Sequence, residues 1–356
     1  MFRSLVSFVK QNPPKSEAGN GSIEKKPAIF PIVDPTFDGP DCDKDCADCT
    51  IKFPSRFKVN SDRELYGSIK PFVKHVLVAT GKADWAPKVE NEVGSLMEGF
   101  KNGSFKPKQG RMMVSASNLS IEPEENNKIT EDSQRQEDEV ATSVLVLPSF
   151  TFVDSVTVSR IPEFMDRFID SSLPESDAEI PLGQEDPVSP MNRTEVQAQA
   201  KGEVEPEFMP EPNGQTSHSN HRYHHHHHHQ LTTRPCLRDH LILLCSHNRR
   251  DARCGISAPL IRRELERHLR PLGLYRDEDD SRPGGVGIVY VSHVGGHKFA
   301  ANVLIYRREE EQMIWLARVR PVDCEGIVRQ TILKGKVVHP EQLRGGFDEK
   351  RGVASW

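Results

Sequence analysis

Residues 240–269 read HLILLCSHNRRDARCGISAPLIRRELERHL, and this stretch decides the fold of the C-terminal part of the chain. Residues 241–244 form a short apolar run of the kind that predicts a buried strand. Ser257 is a candidate N-cap and Pro259 falls in the first turn of a helix that we predict over 257–269. Gly273 follows as a stop signal, and the apolar residues recur at helical spacing, at Leu260, Ile261, Leu265 and Leu269.

The segments that follow continue this α/β pattern. Apolar runs predict strands at 286–291, 301–306 and 313–319, and a helical pattern covers 323–333. The order βα, β, ββα is that of a thioredoxin-like fold. We therefore predict a thioredoxin-like domain at 236–340 and a C-terminal tail at 341–356.

A second, smaller α/β domain is predicted at 51–170. Its apolar runs lie at 75–79, 112–114 and 144–147, and a helical pattern runs through Val93, Leu96, Met97 and Phe100. The stretch at about 117–140 is rich in Glu, Asn and Gln and carries almost no large apolar residue, so we expect a disordered loop there.

Long disordered segments are predicted on both sides of this smaller domain. Residues 1–50 are polar and rich in Pro around a Cys cluster, and residues 171–235 form a linker rich in Pro, Glu, Ser and His. The linker carries the tract 224–229, six histidines preceded by His218 and His221. Without a scaffold such a tract has no fixed coordination geometry, so we interpret it as a low-complexity repeat.

Composition excludes several classes of function. A formal net charge of -5, with no basic stripe, argues against nucleic acid as a partner. No window reaches the roughly 18 consecutive apolar residues of a membrane helix, so we expect no membrane partner. Seven Cys residues, an odd number without a secretory h-region, favour a reducing compartment in which thiols are free to bind metal.

Cys245 closes the first predicted strand of the C-terminal domain, and Cys254 follows nine positions later, just before the predicted helix. Structural zinc sites use closer C-x2-4-C spacings, so zinc is not favoured, although it stays an alternative. The intervening Arg249, Arg250 and Arg253 would lower the pKa values of the two thiols and offset the charge of bound thiolates. Both cysteines are therefore candidate thiolate ligands.

Two histidines complete the candidate ligand set. His293 and His297 flank Val294, Gly295 and Gly296 after the next predicted strand, and the glycines permit the torsions of a tight ligand loop. Two thiolates with two imidazoles are the ligand set of a Rieske-type [2Fe–2S] cluster, although the Rieske spacings are absent. The pattern predicts a redox protein that works in electron transfer or thiol-linked oxidoreduction.

Two other functions remain open at this point. The same four ligands could hold Zn²⁺ in a non-catalytic interaction module, which would be colourless. A cluster-free thiol oxidoreductase ranks last, because the x8 spacing lacks the C-x-x-C geometry of thioredoxin thiols.

Several motifs resemble the sucrase/ferredoxin-like family, which includes the actin patches distal and altered-inheritance-of-mitochondria branches. They are Cys245-Ser-His with Arg250-Asp, Arg253-Cys254-Gly255, the run HVGGHKFAANV at 293–303, and Ile314-Trp315-Leu. The likeness to the actin patches distal branch is strong over 238–320. The stretch around Asp84-Trp85 and the run VLVLP at 144–148 resemble the first domain of the family.

The resemblance implies a thioredoxin-like ferredoxin domain whose [2Fe–2S] cluster is held by Cys245, Cys254, His293 and His297. It also implies a protein redox partner that the sequence does not identify. The terminal Ala354-Ser355-Trp356 is similar to the C-terminal tripeptide that sends apo proteins to the cytosolic iron–sulfur assembly machinery, although Ala354 departs from the bulky apolar residue preferred there. We therefore expect a cytoplasmic protein, with mitochondria as the alternative because residues 1–15 are basic and lack acids.

Cys42, Cys46 and Cys49 form a further motif in the N-terminal segment. Their C-x3-C-x2-C spacing is that of radical S-adenosylmethionine enzymes, but the barrel of repeated βα units that such enzymes need does not follow. We expect loose metal binding or thiol exchange there. The acids of the chain are dispersed in linkers and charge runs, so we predict no glycosidase carboxylate pair.

Overall fold

A computed structural model describes residues 29–103, 105–121, 139–170, 231–296 and 298–356 of the chain. The chain divides into two compact units. The N-terminal unit comprises residues 71–82 and 86–236, and the C-terminal unit comprises residues 1–70, 83–85 and 237–356. The helices, in chain order, are α1 (Pro35–Asp38), α2 (Leu96–Asn102), α3 (Ile161–Phe164), α4 (Ala252–Leu269) and α5 (Cys324–Gly326).

The N-terminal unit contains a mixed sheet in the order β2-β1-β3-β4-β5. β1 pairs with β2 in parallel, and the other neighbours are antiparallel. β3 is buried along its whole length, which fits its nearly continuous apolar sequence. The strands are β1 (Lys74–Ala79), β2 (Met112–Ser117), β3 (Thr142–Leu147), β4 (Thr151–Val156) and β5 (Thr232–Pro235).

Helices of the N-terminal unit connect and follow these strands. α2 lies between β1 and β2, after a 3-10 turn at Val89–Asn91, and Ser95 caps it by accepting a hydrogen bond from the Glu98 backbone N–H. α3 follows β4 and continues as a π-helix over Met165–Asp170.

The C-terminal unit contains the strand order β8-β6-β9-β10-β11-β12, with β7 paired to β8. β6 is an interior strand, because β8 flanks it in parallel and β9 flanks it in antiparallel orientation. The strands are β6 (His240–Cys245), β7 (Tyr275–Arg276), β8 (Val286–Val291), β9 (Val303–Arg307), β10 (Gln312–Leu316), β11 (Leu343–Asp348) and β12 (Val353–Ser355).

α4 follows β6, and its buried face packs into the main core with Ile242 and Leu244 of β6. α5 follows β10 after a 3-10 turn at Pro321–Asp323, and it continues as a π-helix over Ile327–Ile332. The sequence β6-α4-β8-β9-β10-α5 is the predicted βα, β, ββα order, which confirms the α/β class. No helix in the parts of the chain that the structure describes is long and apolar enough to cross a membrane.

The start of α4 differs from the prediction. The helix begins at Ala252, because the Asp251 side chain accepts a hydrogen bond from the Arg253 backbone N–H and so acts as the N-cap. Ser257, the predicted N-cap, is buried inside the helix, and Pro259 is an interior residue. Cys254 consequently lies within the first turn of the helix and not before it.

The predicted disorder of residues 1–50 is wrong for residues 29–50. Ile29 and Phe30 are buried in the main core of the C-terminal unit, and Val33 donates a backbone hydrogen bond to Val337. Residues 51–70 also belong to the C-terminal unit, not to the N-terminal domain. These isolated apolar residues have no helical or strand period, so pattern analysis could not assign them.

Two further segments are more regular than predicted. The expected tail at 341–356 contains β11 and β12, which extend the sheet beside β10. The last residues of the predicted linker form β5, which pairs with β4. Both strands are short or rich in Gly, so they lack the alternation that marks a strand. Residues 122–138, most of the predicted loop, and 171–230, with the His tract, lie outside the described residues.

Candidate metal centre

Cys245 and Cys254 meet where β6 ends and α4 begins. Cys245 is the last residue of β6 and is 1% exposed, and Cys254 in the first turn of α4 is fully buried. Their Sγ atoms lie 3.4 Å apart. This separation exceeds the roughly 2.05 Å of a disulfide, so the pair consists of two free thiols.

His293 joins the pair because of the parallel pairing of β6 and β8. The register places Cys245 opposite Val291, so the carboxyl ends of both strands meet at one edge of the sheet. His293 follows two residues after Val291, and its Nδ1 atom lies 3.9 Å from the Cys245 Sγ. The ligand atoms of Cys245, Cys254 and His293 all lie within 4.8 Å of one another.

The fourth predicted ligand, His297, lies outside the described residues. The structure therefore brings together three of the four residues that the sequence analysis selected. The set of two sulfurs and one imidazole nitrogen suits a soft or borderline metal ion.

The pKa values of the two thiols shift in opposite directions. The hydrogen bond between them holds the pKa of Cys245 well below its usual range, and His293 acts in the same direction. The same hydrogen bond, together with burial, raises the pKa of Cys254. Cys245 is thus the more acidic thiol of the pair. Binding of a metal would release the thiol protons, because thiolates are the ligating form.

His247 fixes the loop that carries His293. The His293 backbone N–H donates to His247 Nδ1 at 3.2 Å, which leaves the proton on Nε2 for the Trp85 carbonyl at 3.2 Å. The Trp85 ring meets the His247 ring edge-on at a centroid distance of 5.7 Å. The Ser246 hydroxyl donates to the Ala83 carbonyl at 2.6 Å. The segment 83–85 therefore supports the candidate centre through its neighbours.

Arg344 places a buried positive charge beside the centre. Its Nη1 donates to the Gly295 carbonyl at 3.1 Å and to Asn302 Oδ1 at 3.2 Å, and its guanidinium lies over the Trp315 ring at 4.4 Å. Burial lowers the pKa of Arg344 to about 10, while the negative charge of Cys245 acts in the opposite direction. Arg344 therefore remains charged at neutral pH. Among the described residues no carboxylate pairs with it.

A sequence profile of the sucrase/ferredoxin-like family matches residues 65–345, which is most of the chain. The chain belongs to the sucrase/ferredoxin-like family. Its match spans both units, including the sequence-predicted ligands and the supporting residues Trp85, His247 and Arg344. The predicted family membership is therefore confirmed.

Individual relatives match this sucrase/ferredoxin-like chain over about a third of their own length. Actin patches distal protein 1 of Saccharomyces cerevisiae is 47% identical over 109 residues, or 31% of this chain and 33% of the relative. Altered inheritance of mitochondria protein 32 of Clavispora lusitaniae is 43% identical over 105 residues, or 30% and 34%. The protein of the same name from Meyerozyma guilliermondii is 36% identical over 107 residues, or 30% and 34%. No solved structure matches the chain.

In this sucrase/ferredoxin-like chain, the loop arginines pair with carboxylates, whereas we predicted that they would act on the two thiols. Arg253 binds its neighbour Asp251 at 2.7 Å, and Arg249 lies 3.7 Å from Asp84. These carboxylates offset much of the positive charge that we predicted would act on the two thiols. Arg344 supplies that charge instead. Sequence reasoning missed it because Arg344 fell in the predicted tail, about 100 residues from the cysteines in sequence.

The N-terminal cysteines of the family member have separate surroundings. Cys42 packs with Val33 and Val338, and the Cys49 thiol lies 3.5 Å from the Ile51 carbonyl. Cys46 faces His268, with 3.8 Å between Sγ and Nε2. The three cysteines of the C-x3-C-x2-C motif therefore have different side-chain neighbours, and the expectation of loose metal binding or thiol exchange stays a prediction.

Proposed function

We propose that this sucrase/ferredoxin-like protein carries a [2Fe–2S] cluster on Cys245, Cys254, His293 and His297, and that it works as an electron carrier or a thiol-linked oxidoreductase. The convergence of two buried thiols and an imidazole at the edge of the sheet carries the proposal. None of these residues would support the proposal on its own.

The donor set fits such a cluster. Two sulfurs on one metal atom, each at about 2.3 Å with tetrahedral angles, would lie roughly 3.8 Å apart. The Sγ atoms of Cys245 and Cys254 lie 3.4 Å apart, so a shift of a few tenths of an ångström suffices. When bound, the cluster supplies a one-electron centre, and its imidazole ligands raise its reduction potential above that of an all-cysteine site.

The surrounding residues favour a reduced, more negative site. The buried guanidinium of Arg344 would stabilise added negative charge, because charge interactions are poorly screened in the interior. His247 holds the backbone of His293, which keeps the imidazole in place. The cysteines are buried whereas His293 is half-buried, so the imidazole side is the natural entry point for an electron.

The biological setting belongs to the same proposal. The names of the relatives refer to actin patches and to mitochondrial inheritance, so a cytoplasmic protein with a protein redox partner is our working assignment, and mitochondria are the alternative. We also propose that Trp356 presents the apo protein to the cytosolic iron–sulfur assembly machinery. The competing function is a zinc-stabilised interaction module linked to actin or stress responses.

Metal identity tests the proposal. The protein would be purified anaerobically with chelator washes that strip the His tract, and its iron and zinc content would be measured. Electron paramagnetic resonance spectra would then be recorded on the dithionite-reduced wild type and on the His293→Cys and His297→Cys variants. Cys324→Ser, which removes a buried thiol of the same unit, is the matched control.

We expect two irons per chain and a reduced-state signal whose g-values shift in both His→Cys variants but not in Cys324→Ser. One zinc per chain, with no colour, would replace the redox proposal by the interaction module. A chain that retains neither metal would favour the thiol oxidoreductase.

A further inference from the structure

A second group of metal-binding side chains lies in the C-terminal unit, away from the candidate metal centre. It consists of Cys46 in the N-terminal segment, His268 in the last turn of α4, and Glu325 in α5. Their ligand atoms all lie within 4.8 Å of one another, and Cys46 is buried. His268 follows Cys254 by about 21 Å along α4, at 1.5 Å per residue, so the two groups cannot share one ion.

The guanidinium of Arg267 contacts two members of this group. Nη2 of Arg267 lies 3.4 Å from the Cys46 Sγ and 3.1 Å from His268 Nε2. Since the guanidinium can only donate, His268 Nε2 accepts this bond and its lone pair points toward the cation. The imidazole is therefore in the neutral, ligating form.

Two carboxylates add negative charge to this group, which favours the binding of a cation. The buried Glu264 lies 2.8 Å from Arg267 and 3.7 Å from His268 Nε2, while Glu325 contributes a further oxygen and is paired with the exposed Arg329. A thiol, an imidazole and the Glu325 carboxylate thus lie within 4.8 Å of one another, with the Glu264 carboxylate beside His268. The Arg267 side chain that contacts Cys46 and His268 is 41% exposed, so it can swing out to solvent.

We propose that Cys46, His268 and Glu325 form a second site for a divalent cation of the zinc class. The ion would bind the Cys46 sulfur, His268 Nε2 and a Glu325 oxygen, with water as the fourth ligand. The Cys46 thiol proton leaves to solvent, and the Arg267 guanidinium moves out as the ion enters. Glu264 stays beside the site, where the bound ion offsets its negative charge in place of Arg267.

Occupation of this site would tie the N-terminal segment to the rest of its unit. Residues 41–49 carry Cys46, whereas His268 and Glu325 lie on α4 and α5. A metal there links three segments that are far apart in the sequence. It therefore acts on the stability of the N-terminal segment, not on the chemistry at Cys245.

The test uses Co²⁺ as the probe, because a cobalt–thiolate bond gives a near-ultraviolet charge-transfer band that the His tract cannot produce. Co²⁺ would be titrated into the full reduced chain carrying Cys245→Ser and Cys254→Ser, which remove the thiols of the candidate metal centre. Cys46→Ser and His268→Gln would be added in turn, with Cys42→Ser as the matched control. Circular dichroism checks the folding of each variant.

We expect the band in the starting chain, its loss in Cys46→Ser, and at least a tenfold weaker affinity in His268→Gln. Cys42→Ser should leave the band intact. A starting chain without the band, or a band that survives Cys46→Ser, would overturn the proposal. Since this chain lacks the Cys245 and Cys254 thiols, the result does not depend on the [2Fe–2S] assignment.

Arg267→Met gives a second measurement that does not require loss of a ligand. If the guanidinium competes with the ion, its removal should tighten Co²⁺ binding about tenfold, because like charges at this separation repel each other. If Arg267 only serves as a structural hydrogen-bond donor, affinity will stay unchanged or fall, and the proposal is wrong.

Discussion

His75 and Arg344 are buried ionisable residues, and burial shifts the pKa of each toward its neutral form. Burial lowers the pKa of Arg344 only to about 10, so its charge persists at neutral pH. Burial lowers the pKa of His75 to about 3, and its Nε2 atom lies 3.0 Å from the Ser115 hydroxyl. Arg344 thus carries a charge at neutral pH, whereas His75 is neutral in the folded chain.

His75 should make the N-terminal unit sensitive to acid. In the unfolded chain its pKa is about 6.5, so between pH 6.5 and 3 the unfolded state binds a proton that the folded state excludes. The stability that neutral His75 contributes is complete above pH 6.5 and is lost as the pH falls toward 3. Between pH 7 and pH 5 the loss should be about 2 kcal/mol.

His75→Gln should retain a hydrogen-bonding side chain and remove this loss. Urea unfolding followed by circular dichroism at pH 7 and pH 5 would measure it in the wild type and the variant. The variant should lose about 2 kcal/mol less stability between the two pH values. Equal pH dependence in the two proteins would show that His75 is not the responsible group.

Individual site residues differed in how well the sequence predicted them. The sequence could single out Cys245, Cys254 and His293 only as a group, because they fall at or after the end of a predicted strand, where binding sites are built on this architecture. Arg344 and His247 were not, because their role depends on burial and on contacts with Asn302 and Trp85 that only the folded chain creates.

The loop after β8 is shaped by two glycines in the left-handed region. Gly295 has φ +87° and Gly296 has φ +68°. A Cβ at Gly295 would meet nothing within 4 Å, whereas a Cβ at Gly296 would lie 2.5 Å from the Arg344 guanidinium. The loop therefore closes tightly over Arg344 at one glycine only.

This difference predicts unequal costs for two matched substitutions. Gly295→Ala should cost about 1 kcal/mol of stability from its backbone conformation alone. Gly296→Ala carries the same backbone cost and displaces Arg344, so it should cost about 2 kcal/mol more. Urea unfolding of the two variants would measure both values, and equal costs would contradict the close packing of Gly296 on Arg344.

The sequence predicted most helices and strands correctly, but it predicted their first and last residues less well. The apolar period of α4 begins after its true start, because the first turn carries Arg253 and Cys254, and Asp251 fixes that start through one hydrogen bond. β11 carries Gly345 and Gly346 and escaped prediction, since its pairing with β10 depends on a partner distant in the sequence.

Across the whole chain, both units contain the same arrangement of strands. In each, a first strand pairs in parallel with a second and in antiparallel with a third, and the third pairs with a fourth, as β1-β2-β3-β4 and β6-β8-β9-β10. Ala79 ends β1 where Cys245 ends β6, and Leu119 follows β2 where His293 follows β8. At these two described positions the N-terminal unit therefore has no counterparts of Cys245 and His293.

Sequence periods identified two α/β regions but not this shared order. Strand order depends on pairing between residues that are far apart, which a local pattern does not encode. The assignment of residues 29–70 to the C-terminal unit is a long-range property of the same kind.

Trp356 has a structural partner as well as a proposed targeting role. It follows β12, which pairs with β11, and its ring lies 6.0 Å from the Phe347 ring. If targeting is its main role, Trp356→Ala should lower iron incorporation in cells several-fold and leave anaerobic reconstitution of the purified protein unchanged. Ser355→Ala is the control. Equal loss in cells and in reconstitution would assign Trp356 to packing alone.

The 3.4 Å contact between the Cys245 and Cys254 sulfurs also makes the metal-free chain prone to oxidation. An oxidant that reaches the metal-free chain needs to draw these atoms together by little more than an ångström to form a disulfide. Both sulfurs would then be unable to bind iron. Insertion of the cluster and oxidation to a disulfide therefore compete for the same two sulfur atoms. The newly made chain can still bind a cluster only if the cluster arrives, or a reductant acts, before the disulfide forms.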